Sequence, residues 1–266
     1  MQAFEWHRPN SLADARALLG GEAALIAGGH TLLPAMKSGL RQPSALIDLS
    51  HIPGLAGIAM EGDRLVVGAM VRHRAIETSA LVQRQLPMLA AMAALVGDPA
   101  VRARGTLGGA LANNDPAADY PAAVLALAAE VRTDRRTIAA DDFFEGMFAT
   151  ALASDEIITA VAFPCVASAY AKYRHPISRY ALAGVCVARH ADHVRVVVTG
   201  AGSGVFRWAE AEEALMRVAD GAALAGLRPD PADLSSDLHA SPQYRAQLCG
   251  VMLIDAVATL HGLSTS

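Results

Sequence analysis

Between Gly105 and Pro121 the chain sets three glycines in five positions, Gly105, Gly108 and Gly109, beside the hydroxyl of Thr106, the amides of Asn113 and Asn114 and the carboxylates of Asp115 and Asp119. Glycine takes φ > 0 freely and brings backbone N–H groups to a ligand with no side chain in the way, which suits a phosphate. Asp119 can cap, and Pro121 can open, an apolar helix over 122–129, so fixed donors and acids are expected at a helix start. Read alone, paired glycines are turn punctuation. A second such stretch, Ala27-Gly28-Gly29-His30-Thr31-Leu32-Leu33-Pro34, follows a strand over 23–26 and precedes a helical pattern. Two glycine-rich strand-to-helix corners can embrace the two phosphates of one pyrophosphate. His30 is left between a phosphate contact and packing, and Lys37 between a phosphate and solvent.

Other stretches imitate function less well. Gly200-Ala201-Gly202-Ser203-Gly204-Val205 resembles a dinucleotide turn but carries Val where the third glycine belongs, with too little chain after it for a doubly wound half. It is expected to be a turn. His190 and His193 form a close pair without the further donors that a metal needs, and no Gly-x-Ser-x-Gly elbow supports hydrolysis. The chain has 3 cysteines, Cys165, Cys186 and Cys249, far apart in sequence. That spacing suits reduced thiols in a cytoplasmic protein, and three thiolates are too few for an iron–sulfur cluster.

The 266 residues are 53% hydrophobic and 18% charged, enough for a sizeable folded core. A net charge of −4 offers no field that attracts nucleic acid. The longest apolar stretch, 248–263, is interrupted by Asp255 and His261, so no membrane span is expected, and residues 1–6 do not read as a signal peptide.

Three groups of elements must position the glycine corners. The first is a strand at 4–6, a helix capped by Ser11 and stopped by Gly20, a strand at 23–26, a helix at 32–38 and a strand at 45–49. The second opens with a hairpin, 57–60 and 64–68 around Glu61-Gly62-Asp63, then helices over 72–79 and 81–96 interrupted by Pro87. It continues through the 98–121 cradle, strands near Val131 and Ile138, a packed turn at Asp142-Phe143-Phe144, and a strand over 156–163. Beyond Pro164, strands at 168–173, 184–190 and 193–199 and helices at 208–218 and 242–262 predict a three-stranded sheet covered by helices.

The motifs Ala-Gly-Gly-His-Thr-Leu-Leu-Pro-Ala-Met-Lys (27–37) and Asp-Pro-Ala-Val-Arg-Ala-Arg-Gly-Thr-Leu-Gly-Gly (98–109), continued by Asn-Asp-Pro-Ala-Ala-Asp (114–119), closely resemble the FAD-binding medium subunit of the molybdenum hydroxylases. That group includes aerobic carbon monoxide dehydrogenase and the xanthine dehydrogenase relatives. The resemblance implies an α+β fold, a two-subdomain FAD-binding fold of the PCMH/vanillyl-alcohol-oxidase type. Its FAD-binding domain covers 1–164, with subdomains about 1–54 and 55–164, and a C-terminal domain covers 165–266.

The contact set implied for a noncovalent FAD is Ala27, Gly28, Gly29, His30, Thr31 and Leu32 at the first corner and Thr106, Leu107, Gly108 and Gly109 at the second. Asp115, Asp119, Ile158, Lys172 and Tyr180 complete it. Backbone donors of Gly28, Gly29, His30, Thr31, Gly108 and Gly109 are expected on the pyrophosphate and Asp119 on the ribityl or flavin edge, with Ile158 and Tyr180 lining the ring. Lys172, a solvated strand charge by position alone, becomes a ring neighbour through the resemblance. Many relatives carry other pairs where Asn113 and Asn114 stand, so backbone contact is expected there. No catalytic side chain is implied, because the flavin does the redox chemistry. The implied role is electron transfer from a 2Fe-2S small subunit, reduced in turn by a large subunit with the molybdenum cofactor, to an external acceptor. The alternatives are a stand-alone flavin oxidoreductase and a flavin-less assembly or scaffold relative.

Overall fold

Ser11 begins the first helix by accepting the Asp14 N–H at 3.1 Å, the capping interaction that its position predicts. The computed structural model describes residues 2–217 and 224–264. Strand β1 (Glu5–His7), helix α1 (Leu12–Ala17), β2 (Ala23–Ile26), α2 (Leu32–Lys37) and β3 (Ala45–Asp48) form a small unit whose parallel sheet runs β1-β3-β2. Its apolar residues fill both faces: Ile26, Met36 and Leu46 pack on one side, Ala15, Ile47 and Leu49 on the other.

Next come the hairpin β4 (Ile58–Glu61) and β5 (Arg64–Gly68), and a run of short helices: α3 (His73–Thr78), α4 (Ala80–Gln85), α5 (Pro87–Leu95), α6 (Pro99–Arg104), α7 (Leu107–Asn113) and α8 (Tyr120–Ala126). Pro87 and Pro99 sit at first helical positions, where a missing N–H costs nothing. Strands β6 (Glu130–Thr133) and β7 (Thr137–Ala139) follow, then a two-stranded hairpin of β8 (Phe144–Gly146) and β9 (Ala149–Thr150), and β10 (Ile158–Pro164). The sheet order is β4-β5-β10-β6-β7, antiparallel throughout. The stretch expected to be an open cradle is thus largely α6 and α7, each capped by its own side chain: Asp98 accepts from Val101 at 2.9 Å and Thr106 from Gly109 at 3.2 Å.

The last group is β11 (Ala167–Arg174), β12 (Ala181–Arg189), β13 (Val194–Thr199), β14 (Phe206–Arg207), α9 (Ala209–Arg217) and α10 (Pro242–Ser264). The predicted end of the helix before 218, at Val218, lies outside the described residues. The sheet has four antiparallel strands, not three, because the glycine loop after Thr199 turns the chain back to lay β14 on β13. Gly200 makes that reversal at φ 81°, and a Cβ there would fall 2.4 Å from the Ala181 carbonyl oxygen. An antiparallel return is incompatible with the parallel crossover of a dinucleotide turn.

The strands of this sheet alternate cleanly. Tyr170, Cys186, Ala188 and Val197 face α8, while Ala169, Val185, Val187, Val196 and Val198 pack under α10. All of α8 from Tyr120 to Ala126 is buried as a result. Arg245 of α10 reaches beneath the sheet edge and donates to the carbonyls of Leu182 at 2.9 Å and Gly200 at 2.6 Å.

Candidate functional site

The first corner is built as its sequence suggests. β2 ends at Ile26, and Gly29, at φ 75°, swings the chain into α2. Among the described residues, the N–H groups of Gly29, His30, Thr31 and Leu32 donate to no group of this chain. Thr31, the residue before α2, makes no side-chain cap either, so these donors stand unspent at the edge of a cleft.

The second corner works differently from the expectation. Gly105, Gly108 and Gly109 do not adopt positive φ. Their N–H groups are spent inside the protein: Gly105 donates to Val101 at 2.7 Å, Gly108 to Ala69 at 2.8 Å and Gly109 to the Thr106 hydroxyl at 3.2 Å. Leu107 donates to Val71 at 3.0 Å. Glycine is needed here for close approach. A Cβ on Gly105 would meet the His73 ring at 2.5 Å, and one on Gly108 the Ala69 Cβ at 2.6 Å. The second corner therefore supplies space and the Thr106 hydroxyl, while the first supplies the backbone donors.

Between the corners lies a cleft of about 950 Å³. Ala27, Gly28, Gly29, His30, Thr31, Leu32, Thr106, Gly108, Gly109, Asp115, Asp119, Ile158 and Tyr180 all line it. Leu107 does not, since its side chain is wholly buried in the core. Nor does Lys172, which stands behind Asp119.

Asp119 was expected to cap α8 and Lys172 to be solvated by position, and neither holds. Asp119 makes no cap bond. Its carboxylate accepts from Lys172 Nζ at 2.9 Å on each oxygen and from the Tyr170 hydroxyl at 2.5 Å. The side chains are 5% and 1% exposed for Asp119 and Lys172. Burial pushes the Asp119 carboxyl above the usual carboxylate range, and the Lys172 ammonium and Tyr170 hydroxyl oppose that push. Burial and the neighbouring Asp119 raise the Tyr170 phenol well above its ordinary value, so it stays a donor.

Tyr180 projects from the β11–β12 turn, half exposed. That turn is tied by His175, whose Nδ1 accepts the N–H groups of Ile177 and Ser178 at 3.2 Å each, and it holds Arg179 at φ 63°. Asp115 Oδ1 accepts from the Ala117 N–H at 2.9 Å, and Thr199 Oγ1 donates to the carbonyls of Pro116 and Ala118, which pins the acidic loop to β13. Asn114 takes the left-handed conformation after α7, and its Nδ2 donates to Gly146 and Ala149 at 2.8 Å each. Its side chain holds the β8–β9 hairpin, which places Phe148 on the cleft, whereas Asn113 lines the cleft itself.

Sequence reasoning missed His73, Tyr120 and Glu156, all of which line the cleft. The rings of His73 and Tyr120 are 5.2 Å apart, and His73 Nδ1 and the Tyr120 hydroxyl are buried without a partner among the described residues. Burial, with His30 and Arg102 nearby, lowers His73 to about 4, so it is neutral at neutral pH. No pattern announces these residues, since a histidine opening an amphipathic helix reads as packing. Glu156 is held down to about 2, chiefly by Arg136 Nε at 2.9 Å.

The site suits a phosphate-bearing cofactor with an aromatic end: free N–H groups on a glycine turn, Thr106, a run of glycines without side chains, and Tyr180 and Ile158 all line the same cleft. A Cβ on Gly28 would fall 2.2 Å from the Arg104 carbonyl oxygen, so the two corners touch there. No group of three or more metal-ligating side chains stands among the described residues.

A family model described as "FAD binding domain in molybdopterin dehydrogenase" matches residues 2–166. The carbon monoxide dehydrogenase medium chain of Hydrogenophaga pseudoflava is 37% identical over 94% of this chain and 94% of its own. The nicotine 6-hydroxylase medium subunit of Paenarthrobacter nicotinovorans is 38% identical over 92% of this chain and 93% of its own. Among solved structures, that of carbon monoxide dehydrogenase from Hydrogenophaga pseudoflava lacking the Mo-pyranopterin moiety superposes with a TM-score of 0.90 at 35% identity, covering 98% of both chains.

Proposed function

The chain belongs to the family of FAD-binding domains of molybdopterin dehydrogenases, and from that premise we propose that this flavoprotein subunit of an oxidoreductase passes electrons from a 2Fe-2S partner subunit to an external acceptor. A molybdenum-binding large subunit completes the complex and binds the substrate. The observation that carries this reading is the cleft, whose lining brings together the unspent N–H groups of Gly29–Leu32, Thr106 and the glycines Gly28, Gly105, Gly108 and Gly109. Bound there, FAD supplies one- and two-electron redox chemistry.

The chain's own task is to hold and orient. The N–H groups of the first corner take the pyrophosphate, Thr106 adds a hydroxyl donor, and Ile158 and Tyr180 flank the ring. Asp119 accepts from the ribityl chain or the flavin edge. Residues 1–54 and 55–164 are the two halves of the cofactor domain, and 165–266 close its ring end. The names of the relatives, medium chain and medium subunit, support a multi-subunit setting. Three cysteines that are free, two of them buried in different cores, support a cluster held by another chain and suit a reducing cytoplasm. No helix among the described residues is long and apolar enough to cross a membrane.

The test is reconstitution. Alone, the subunit should purify yellow, release FAD on denaturation and fail to oxidise aldehydes or heterocycles. Mixed with its iron–sulfur and molybdenum partners, its flavin should bleach after cluster reduction when their substrate is added. Multiple turnovers by the isolated chain would replace the relay with a stand-alone oxidase. A colourless protein that cannot be reconstituted would replace it with a scaffold.

A further inference from the structure

Lys172 and Tyr170 stand two residues apart on β11, so both point to the same side of the sheet, toward the start of α8. Gly184, paired with Lys172 on β12, makes room for them: a Cβ there would lie 2.5 Å from the Tyr170 hydroxyl oxygen. An ammonium has three protons and no more. All three of Lys172 are placed, one on each Asp119 oxygen at 2.9 Å and one on the Leu95 carbonyl at 3.1 Å. Asp119 receives three hydrogen bonds in all, and a carboxylate has roughly four lone-pair sites. One acceptor position is left, and of the two residues only Asp119 lines the cleft.

We propose that Lys172 and Tyr170 are a positioning pair that keeps the Asp119 carboxylate ionised and aimed into the cleft as an acceptor. A carboxylate buried to this degree would take up a proton if its ammonium were removed, because an unpaired charge in a low-dielectric interior is costly. A protonated Asp119 would offer the ligand a hydroxyl donor in place of an anionic acceptor. The pair also ties the end of α5 and the start of α8 to the C-terminal sheet, so the same bonds set where Asp119 stands. The identity of the ligand rests on the proposed function; the ionisation of Asp119 does not.

Lys172→Met, Asp119→Asn and the double variant separate these roles through two readouts. Infrared spectra of cofactor-free protein should show the carbonyl band of a neutral carboxylic acid in Lys172→Met that is missing from the wild type and from the double variant. FAD affinity, followed by fluorescence quenching, should fall about tenfold or more in each single variant, and the double variant should bind no more weakly than either. Costs that add in the double variant would mean that Lys172 acts independently of Asp119, and would overturn the proposal. An unchanged spectrum with unchanged affinity in Lys172→Met would overturn it too. If Lys172→Met does not fold, Tyr170→Phe, which spares the ion pair, should weaken FAD binding in the wild-type background but not with Asp119→Asn, and equal losses in both would count against the pair. A wild-type protein that binds no FAD defeats the functional reading, while the infrared arm still decides the ionisation.

Discussion

Gly28 and Arg104 meet backbone to backbone: a Cβ on Gly28 would sit 2.2 Å from the Arg104 carbonyl oxygen, far inside van der Waals contact. The two corners of the cleft are thus one packed unit. Gly28→Ala should push them apart, cost about 1–3 kcal/mol and leave the protein largely without FAD. Gly109→Ala, whose Cβ would meet only the Thr106 hydroxyl at 2.9 Å and Ala27 at 3.8 Å, should keep most of its flavin. Gly109→Val, which would displace that hydroxyl, should lose it. The measurement is the flavin-to-protein absorbance ratio, and full FAD in Gly28→Ala would separate the corners from the site.

Asn114 combines a left-handed backbone with two donated bonds across the β8–β9 hairpin. Asn114→Asp can keep the backbone but loses both donors and faces two carbonyls, so the protein should lose about 1–3 kcal/mol in denaturant titration. Phe148 would lose its support, and FAD should dissociate faster. An unchanged unfolding midpoint would show that the hairpin is held by other contacts.

Arg136 grips Glu156 through Nε and a second nitrogen, and Glu156 also accepts the Ala153 N–H and the Thr133 hydroxyl. The folded carboxyl stands at about 2 against 4.5 in the unfolded chain. A depressed carboxyl stabilises above its unfolded value and loses that contribution as pH falls from about 4.5 toward 2. Arg136→Met should therefore raise the pH of acid unfolding, with the variants converging near pH 2. Identical acid transitions would deny the pair its role.

His73 must stay neutral where Glu156 must stay charged, yet it too loses stability as pH falls. Its folded value of about 4 lies below the ordinary 6.5, so the unfolded chain binds the proton more readily and stability falls as pH drops from about 6.5 to 4. His73→Phe should flatten this part of the stability curve, a change on the order of a few kcal/mol across the window. The comparison is thermal melting across the same pH range, where parallel curves would contradict the assignment.

Local signals were legible where a residue's role depends on its chain neighbours. Ser11 as a cap, the interruption at Pro87 and the swing at Gly29 all follow from short-range geometry, although Pro87 proves to open the next helix as well as to break the pattern. Long-range roles were not. Lys172 reads as a solvated strand charge until Asp119, 53 residues earlier, is placed against it. Gly105 and Gly108 announced a need for bare backbone but not its cause, because glycine serves positive φ and close approach alike, and here the neighbours were His73 and Ala69. The fourth strand of the C-terminal sheet was hidden because Phe206–Arg207 is too short to show an alternation. The shared wall between the corners depends on Gly28 meeting Arg104, which no spacing encodes.

Helix α8 has no solvent face of its own: its residues are closed in by β12 and β13 on one side and by the apolar core that includes Leu65, Val131 and Val161 on the other. The sheet β11–β14 is therefore the missing half of the earlier core's wrapping, not an appendage to it. Heat should take both apart in a single calorimetric transition. A fragment cut near Pro164 would bare α8 to water and become sticky and prone to aggregate, however complete its glycine corners were.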